Sequence, residues 1–114
     1  DLKKLGTFPI VHGVRALCLR HRVLEHSTAA RLEALHAKGA LKDNMARELL
    51  DSLHFLMTLR LRHQIQARRA GETPSNGVRP SQLSPLEREP LDNVLAIVKG
   101  FRAFLREEFH FGNL

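Results

Sequence analysis

Residues 56–66 read Leu-Met-Thr-Leu-Arg-Leu-Arg-His-Gln-Ile-Gln and lie inside a long helical pattern. At about 100° per residue, Arg60 and Gln64 fall on one helix stripe with a series of apolar residues. These apolar residues are Ala46, Leu49, Leu50, Leu53, Met57 and Leu61. A guanidinium among core positions is costly unless it is paired or faces a wet cavity. This break in the packing pattern therefore marks a candidate functional position.

The composition predicts a single all-α domain. The chain has 114 residues, of which 43% are hydrophobic, and it contains neither Trp nor Tyr. A leucine-rich chain with few aromatic residues suits packed helices better than a sheet. We expect residues 1–114 to form an antiparallel bundle of about four main helices plus a short one, with a long central helix. Because the chain starts at Asp1 without a methionine, we interpret it as a C-terminal fragment of a larger multidomain protein.

Local signals divide the first part of the chain into two helices. Residues 1–6 are predicted to be a polar lead-in, and residues 9–20 the first helix, with a proline in its first turn. The connection at 21–26 has Val23 and Leu24 as apolar anchors. Ser27 or Thr28 caps a short second helix that turns Leu32 and Leu35 inward, and Gly39 ends it.

The second part is predicted to hold two longer helices. Residues 43–69 form the central helix, which is apolar nearly all round between Leu53 and Leu61, and Gly71 stops it. Residues 71–83 are a linker. Ser84 and Glu87 then form a capping box with Pro85 between them, and the last helix continues to about residue 109. Pro90 is expected to kink this helix or to restart it.

The charge is uneven and limits the classes of partner. The formal net charge is +6 and the sequence pI is about 10.4. Within residues 60–69 there is no acid, but there are four arginines, at positions 60, 62, 68 and 69. For Arg68 and Arg69, stabilisation of the helix C-terminus explains the positive charges as well as contact with a partner does. Nucleic-acid binding is disfavoured because the chain offers no recognition helix with a tight glycine turn and no aromatic stacking platform. No apolar run approaches the roughly 18 residues of a membrane span, so no membrane association is expected.

The sequence offers no catalytic or metal-binding constellation. There is no glycine-rich phosphate loop, no Asp-x-Asp pair and no local signature of a nucleophilic triad. The seven histidines include no pair at i, i+4, and the lone Cys18 lies on an apolar face, where we interpret it as a buried small hydrophobe. A single cysteine also fits a reducing, cytoplasmic location. We therefore predict no metal site and no cofactor in this chain, and no enzyme activity for it alone.

Several stretches in a fixed order carry a family resemblance. They are residues 1–4 with Gly6, residues 27–32, the run Leu-Arg-Leu-Arg-His-Gln at 59–64, and residues 80–88. Together they resemble the C-terminal helical domain of bacterial putative nucleotidyltransferase signal-transduction proteins, which carry CBS and cyclic-nucleotide-binding domains upstream. The chain departs from the family pattern at Gly77 and Val78, where an aromatic residue commonly follows Asn76, and at Pro90.

The resemblance implies an accessory role. In similar two-part nucleotidyltransferases, uridylyl- or adenylyltransferase-like, an α/β domain holds magnesium and the nucleoside triphosphate, and a helical bundle closes the cleft. By this resemblance Arg60, Arg62, His63 and Gln64 face the nucleotide or the preceding nucleotidyltransferase-like domain. An acceptor protein and a homodimer are further partners that the resemblance allows. The alternative is a helical interaction or dimerisation module of a signalling protein without transferase activity.

Two interpretations of Arg60 and Gln64 remain open from the sequence. In the structural one, Arg60 pairs within the bundle with an acid, and Gln64 caps a buried polar contact. The acids available for this are Glu33, Glu48, Asp51 and Asp92. In the functional one, both line a groove that meets phosphates or an acidic edge of the preceding domain, where a guanidinium can form bidentate bonds.

Overall fold

The computed structural model describes residues 1–74, 77–78 and 80–112. A π-helical turn at Lys3–Thr7 leads directly into α1 (Phe8–His21), which is followed by α2 (Thr28–Ala37) and α3 (Asp43–Arg69). A 3-10 turn at Pro80–Gln82 precedes α4 (Pro85–Gly112). No β-strand occurs in these described ranges. The predicted all-α class is confirmed.

The first residues are part of the folded core, so the predicted polar lead-in is wrong. Leu2 is only 6% exposed and Gly6 is buried. The Asp1 carboxylate accepts the backbone N–H of Lys3, the first residue of the π-helical turn, at 2.9 Å. A Cβ at residue 6 would lie 2.5 Å from Leu56 Cδ1. The missing side chain therefore lets this turn lie directly against α3, a contact between residues too distant in sequence for local patterning to reveal.

The predicted caps of α2 and the predicted glycine stop of α3 are confirmed. Ser27 Oγ accepts the backbone N–H of Ala30 at 3.1 Å, and Gly39 and Gly71 follow the ends of α2 and α3 with φ of +77° and +76°. Such positive φ values favour glycine. Of the two apolar anchors predicted in the connection after α1, Val23 is buried, as expected, whereas Leu24 is 85% exposed.

The buried side of α3 differs from the predicted stripe. Leu49, Leu53, Leu56 and Leu59 are buried together with Ser52. Met57 and Leu61, which the prediction placed in the core, are 54% and 57% exposed. Between Leu53 and Leu61 the helix is apolar nearly all round, so its sequence alone allowed either side. The π-helical turn packs at Leu56, on the side that is buried.

The last helix is unbroken. Pro85 is its first residue, as predicted, and it continues through Pro90 to Gly112, so the predicted restart at Pro90 does not occur. Proline removes only the backbone bond to the carbonyl four residues earlier, which belongs to the 87% exposed Leu86 at the solvent-accessible start of the helix. Val94, Val98 and Phe101 carry its buried face.

The contacts between α3 and α4 are consistent with an antiparallel pair. Arg62, late in α3, contacts Glu87, early in α4, whereas Met45, early in α3, lines a cavity with Phe101, later in α4. The linker residue Val78 packs against the core, and Asn76 lies outside the described residues.

Two further features bear on the predicted class of protein. Cys18 is buried and unpaired, and burial raises the pKa of its thiol above the ordinary value, as expected for a small core residue. Among the described helices, none combines the length and apolarity required to cross a bilayer.

The packing of α1 against α4 predicts opposite effects for two glycine substitutions. A Cβ at Gly13 would lie 2.6 Å from the ring of Phe101, which is 1% exposed, whereas a Cβ at Gly100 would meet nothing within 4 Å. Gly13→Ala should lower the free energy of unfolding by about 1–3 kcal/mol. Gly100→Ala should raise it by about 0.5–1 kcal/mol, because alanine favours the helix. Urea denaturation of the two variants measures both changes, and equal effects would contradict the described packing.

Candidate functional site

A buried carboxylate links the C-terminal half of α3 to the start of α4. Glu87 lies in the first turn of α4, and its side chain is 8% exposed. Its Oε1 accepts the backbone N–H of Ser84 at 3.0 Å, which is the Glu half of the predicted capping box. Its Oε2 accepts a hydrogen bond from Arg62 Nη1, also at 3.0 Å. One side chain therefore both caps α4 and fastens it to α3.

His63 lies against the same carboxylate. Its Nε2 is 3.4 Å from Glu87 Oε2, and its side chain is 11% exposed. The geometry does not align the two atoms for a hydrogen bond, and Nε2 is buried without a hydrogen-bond partner among the described residues. A protonated His63 would be attracted to Glu87 by charge at this distance.

The surroundings of Glu87 stabilise its charged form. The main cause is the backbone N–H of Ser84, which lowers the pKa of Glu87 below its ordinary value. Burial acts in the opposite direction, and Arg62 and His63 lower the pKa further. Glu87 is thus ionised, and a poor proton donor, at neutral pH. We call this carboxylate, with its contacts to Ser84, Arg62 and His63, the Glu87 anchor.

Arg60 and Gln64 are placed differently from Arg62 and His63. Both are half-buried. Within the described part of the chain, neither the Arg60 guanidinium nor the Gln64 amide has an ion pair or a hydrogen bond. The pairing of Arg60 with an acid of the bundle, considered from the sequence, is therefore absent; Asp51, for example, lies 3.9 Å from Arg47 instead. Arg60 keeps its donors available on a partly covered surface.

A polar cavity lies beside the Glu87 anchor. It has a volume of about 350 Å³ and lies between the end of α3 and the linker, where His63, Gln66, Glu72 and Gln82 contribute to its walls. Of the four predicted site residues, His63 lines this cavity. The described residues contain no group of three or more His, Cys, Asp or Glu side chains arranged to hold a metal ion.

Sequence reasoning assigned Glu87 only to the cap of α4. Its contact with Arg62 spans 25 residues of sequence, and no local spacing indicates it. The order of the helices could have suggested it, because an antiparallel return brings the start of α4 beside the end of α3.

Comparison with known families gives one match. The family described as putative nucleotidyltransferase substrate binding domain matches residues 1–109. Comparisons with curated proteins and with solved structures gave no match.

The lowered pKa of Glu87 predicts a pH-dependent stability. A carboxylate whose pKa is lower when folded stabilises the protein above the ordinary value of 4.5, and this contribution is lost as the pH falls through the folded-state pKa. Glu87→Gln should therefore lower the free energy of unfolding by about 1–2 kcal/mol at pH 7. The difference from the unchanged protein should shrink as the pH falls from 4.5 through the folded-state pKa, because protonation makes Glu87 as neutral as the glutamine amide.

Urea titrations across this pH range measure the difference. Glu89→Gln is the matched control, because Glu89 is exposed in the same region of α4. A loss of stability at Glu87→Gln that stayed constant across the whole range would mean that its charge is not what holds the helices.

Proposed function

Because the chain belongs to the family of putative nucleotidyltransferase substrate binding domains, we propose that it is a non-catalytic accessory domain of a bacterial signalling protein. In this proposal the domain packs beside the nucleotidyltransferase-like domain and forms one wall of the cleft for nucleotide or acceptor. Catalytic groups, magnesium and the nucleoside triphosphate's metal site belong to the preceding domain. The helical domain contributes binding and orientation.

The availability of Arg60 supports this role most directly. A half-buried guanidinium without an acid in the described bundle keeps a planar set of donors for an external anion. Phosphate and carboxylate oxygens match this donor geometry in pairs. Gln64, one turn later on α3 and also half-buried, adds amide donors and an acceptor on the same side.

The Glu87 anchor gives the neighbouring residues a supporting role. Arg62 and His63 surround one buried carboxylate, and their contacts fix the end of α3 against α4. We infer that these two residues position the helix segment that carries Arg60 and Gln64.

The alternative function, an interaction or dimerisation module without transferase activity, stays a prediction. An exposed apolar row on α3 favours a docking role of some kind. In the accessory role the docked partner is the transferase domain itself, so the two functions differ in whether nucleotide chemistry depends on Arg60.

Replacement of Arg60 tests the proposal. Arg60→Met keeps the apolar stem and removes the donors, so it should change the free energy of unfolding of this chain by less than about 0.5 kcal/mol. In the full-length protein it should weaken nucleotide or acceptor binding by about tenfold, as expected for the loss of a charge-assisted contact. Calorimetric titration with nucleoside triphosphates in magnesium, and transfer of labelled nucleotide, measure the effect.

Arg62→Met is the matched comparison for stability. It removes the bond to Glu87 and should cost about 1 kcal/mol of stability, whereas Arg60→Met should leave the free energy of unfolding nearly unchanged. Strong destabilisation by Arg60→Met with unchanged binding would show that Arg60 is a structural residue and would overturn the proposal.

A further inference from the structure

A row of large apolar side chains is exposed on the C-terminal half of α3. Met57, Leu61 and Ile65 are 54%, 57% and 42% exposed. At a spacing of four residues they lie on successive turns of one helix side and extend over about 12 Å. Single exposed apolar residues are ordinary, whereas a contiguous row is typical of a docking surface. We call these residues the α3 ridge.

The α3 ridge continues a side of the helix that already packs against another helix. In the first half of α3, Ala46 and Leu50 face Ala29 and Leu32 of α2 across a shallow cavity of about 530 Å³. At about 100° per residue, Leu50, Met57 and Leu61 point in nearly the same direction. The side that α2 covers at residues 46–50 is therefore uncovered from Met57 onward. Its shape suits a second helix laid along α3.

The charges beside the α3 ridge select the partner. Residues 57–69 contain four arginines and no acid, and the whole chain carries a formal net charge of +6. At about 100° per residue, Arg68 continues the direction of the ridge beyond Ile65, and Arg60 lies about 60° to one side of Met57. A second copy of this chain would bring the same cations against them, which is unfavourable across an interface. A helix with an apolar stripe and acidic flanking residues would instead meet apolar side chains and cations together.

We propose that the α3 ridge docks an amphipathic helix with acidic flanking residues, supplied by the nucleotidyltransferase-like domain. This inference rests on the proposed function, because it takes the partner domain from there, and it adds the surface through which the two domains meet. The ridge holds the domains together, and Arg60 beside it reaches towards the cleft that they form.

Cysteine reactivity in the full-length protein tests whether the α3 ridge is covered. Leu61→Cys should react with a maleimide at least about tenfold more slowly than Leu24→Cys, because docking must open before the thiol is accessible. Leu24 is the matched control, since it is 85% exposed and lies in the connection between α1 and α2. In urea the two introduced thiols should react at equal rates. In the folded protein the native Cys18 is buried.

Zero-length crosslinking identifies the partner. Arg68→Lys keeps the positive charge and provides an amine that a carbodiimide can join to a neighbouring carboxylate. Peptide mass spectrometry should find Lys at position 68 joined to Asp or Glu in a helix of the nucleotidyltransferase-like domain. Crosslinks between two copies of this chain, or equal reactivity of the two introduced thiols in the folded protein, would overturn the inference.

The outcomes separate this inference from the proposed function. A protected Leu61→Cys with a crosslink to the other domain supports docking through the α3 ridge, even if Arg60→Met leaves nucleotide binding unchanged. A freely reactive Leu61→Cys together with impaired binding in Arg60→Met would retain the accessory function and reject the ridge as the contact.

Discussion

The arrangement of the two long helices depends on the hydrogen bonds that the Glu87 carboxylate accepts from Ser84 and Arg62. The carboxylate is buried at the start of α4, yet it keeps its charge because a backbone N–H, a guanidinium and an imidazole surround it. A buried charge is costly without such partners. Its position is therefore well defined, and it sets which turn of α3 lies beside the first turn of α4. The orientation of the segment around Arg60 follows from that register.

The helices and their ends could be predicted from the sequence because the signals are local. Ser27 caps α2 through a residue three positions away, and Gly39 and Gly71 adopt the positive φ that ends α2 and α3. At the start of α4 the Glu87 side chain accepts the backbone N–H of Ser84, again three positions away. Each of these interactions is contained within one turn, so neighbouring letters are enough to indicate it.

The buried faces were less predictable because remote residues decide them. Between Leu53 and Leu61, α3 is apolar nearly all round, and the side that becomes core is the one met by Gly6 and its neighbours. The first residues were predicted to be polar because Lys3 and Lys4 dominate this short segment, although Leu2 beside them is buried. The break that Arg60 makes in the apolar pattern was visible in the sequence. The sequence did not show that Arg62 and His63 lie against Glu87, or that Arg60 and Gln64 have no partner among the described residues.

The Glu87 anchor also determines how freely the family can vary the segment between α3 and α4. Both ends of that segment are fixed by contacts that it does not itself make: Gly71 ends α3, and Glu87 holds α4 directly to Arg62. Between them Val78 and Leu83 pack against the core, and the remaining residues close a loop, for which doubling the length costs only about 0.6 kcal/mol. Insertions and deletions should therefore accumulate here during evolution while the helices on either side keep their register.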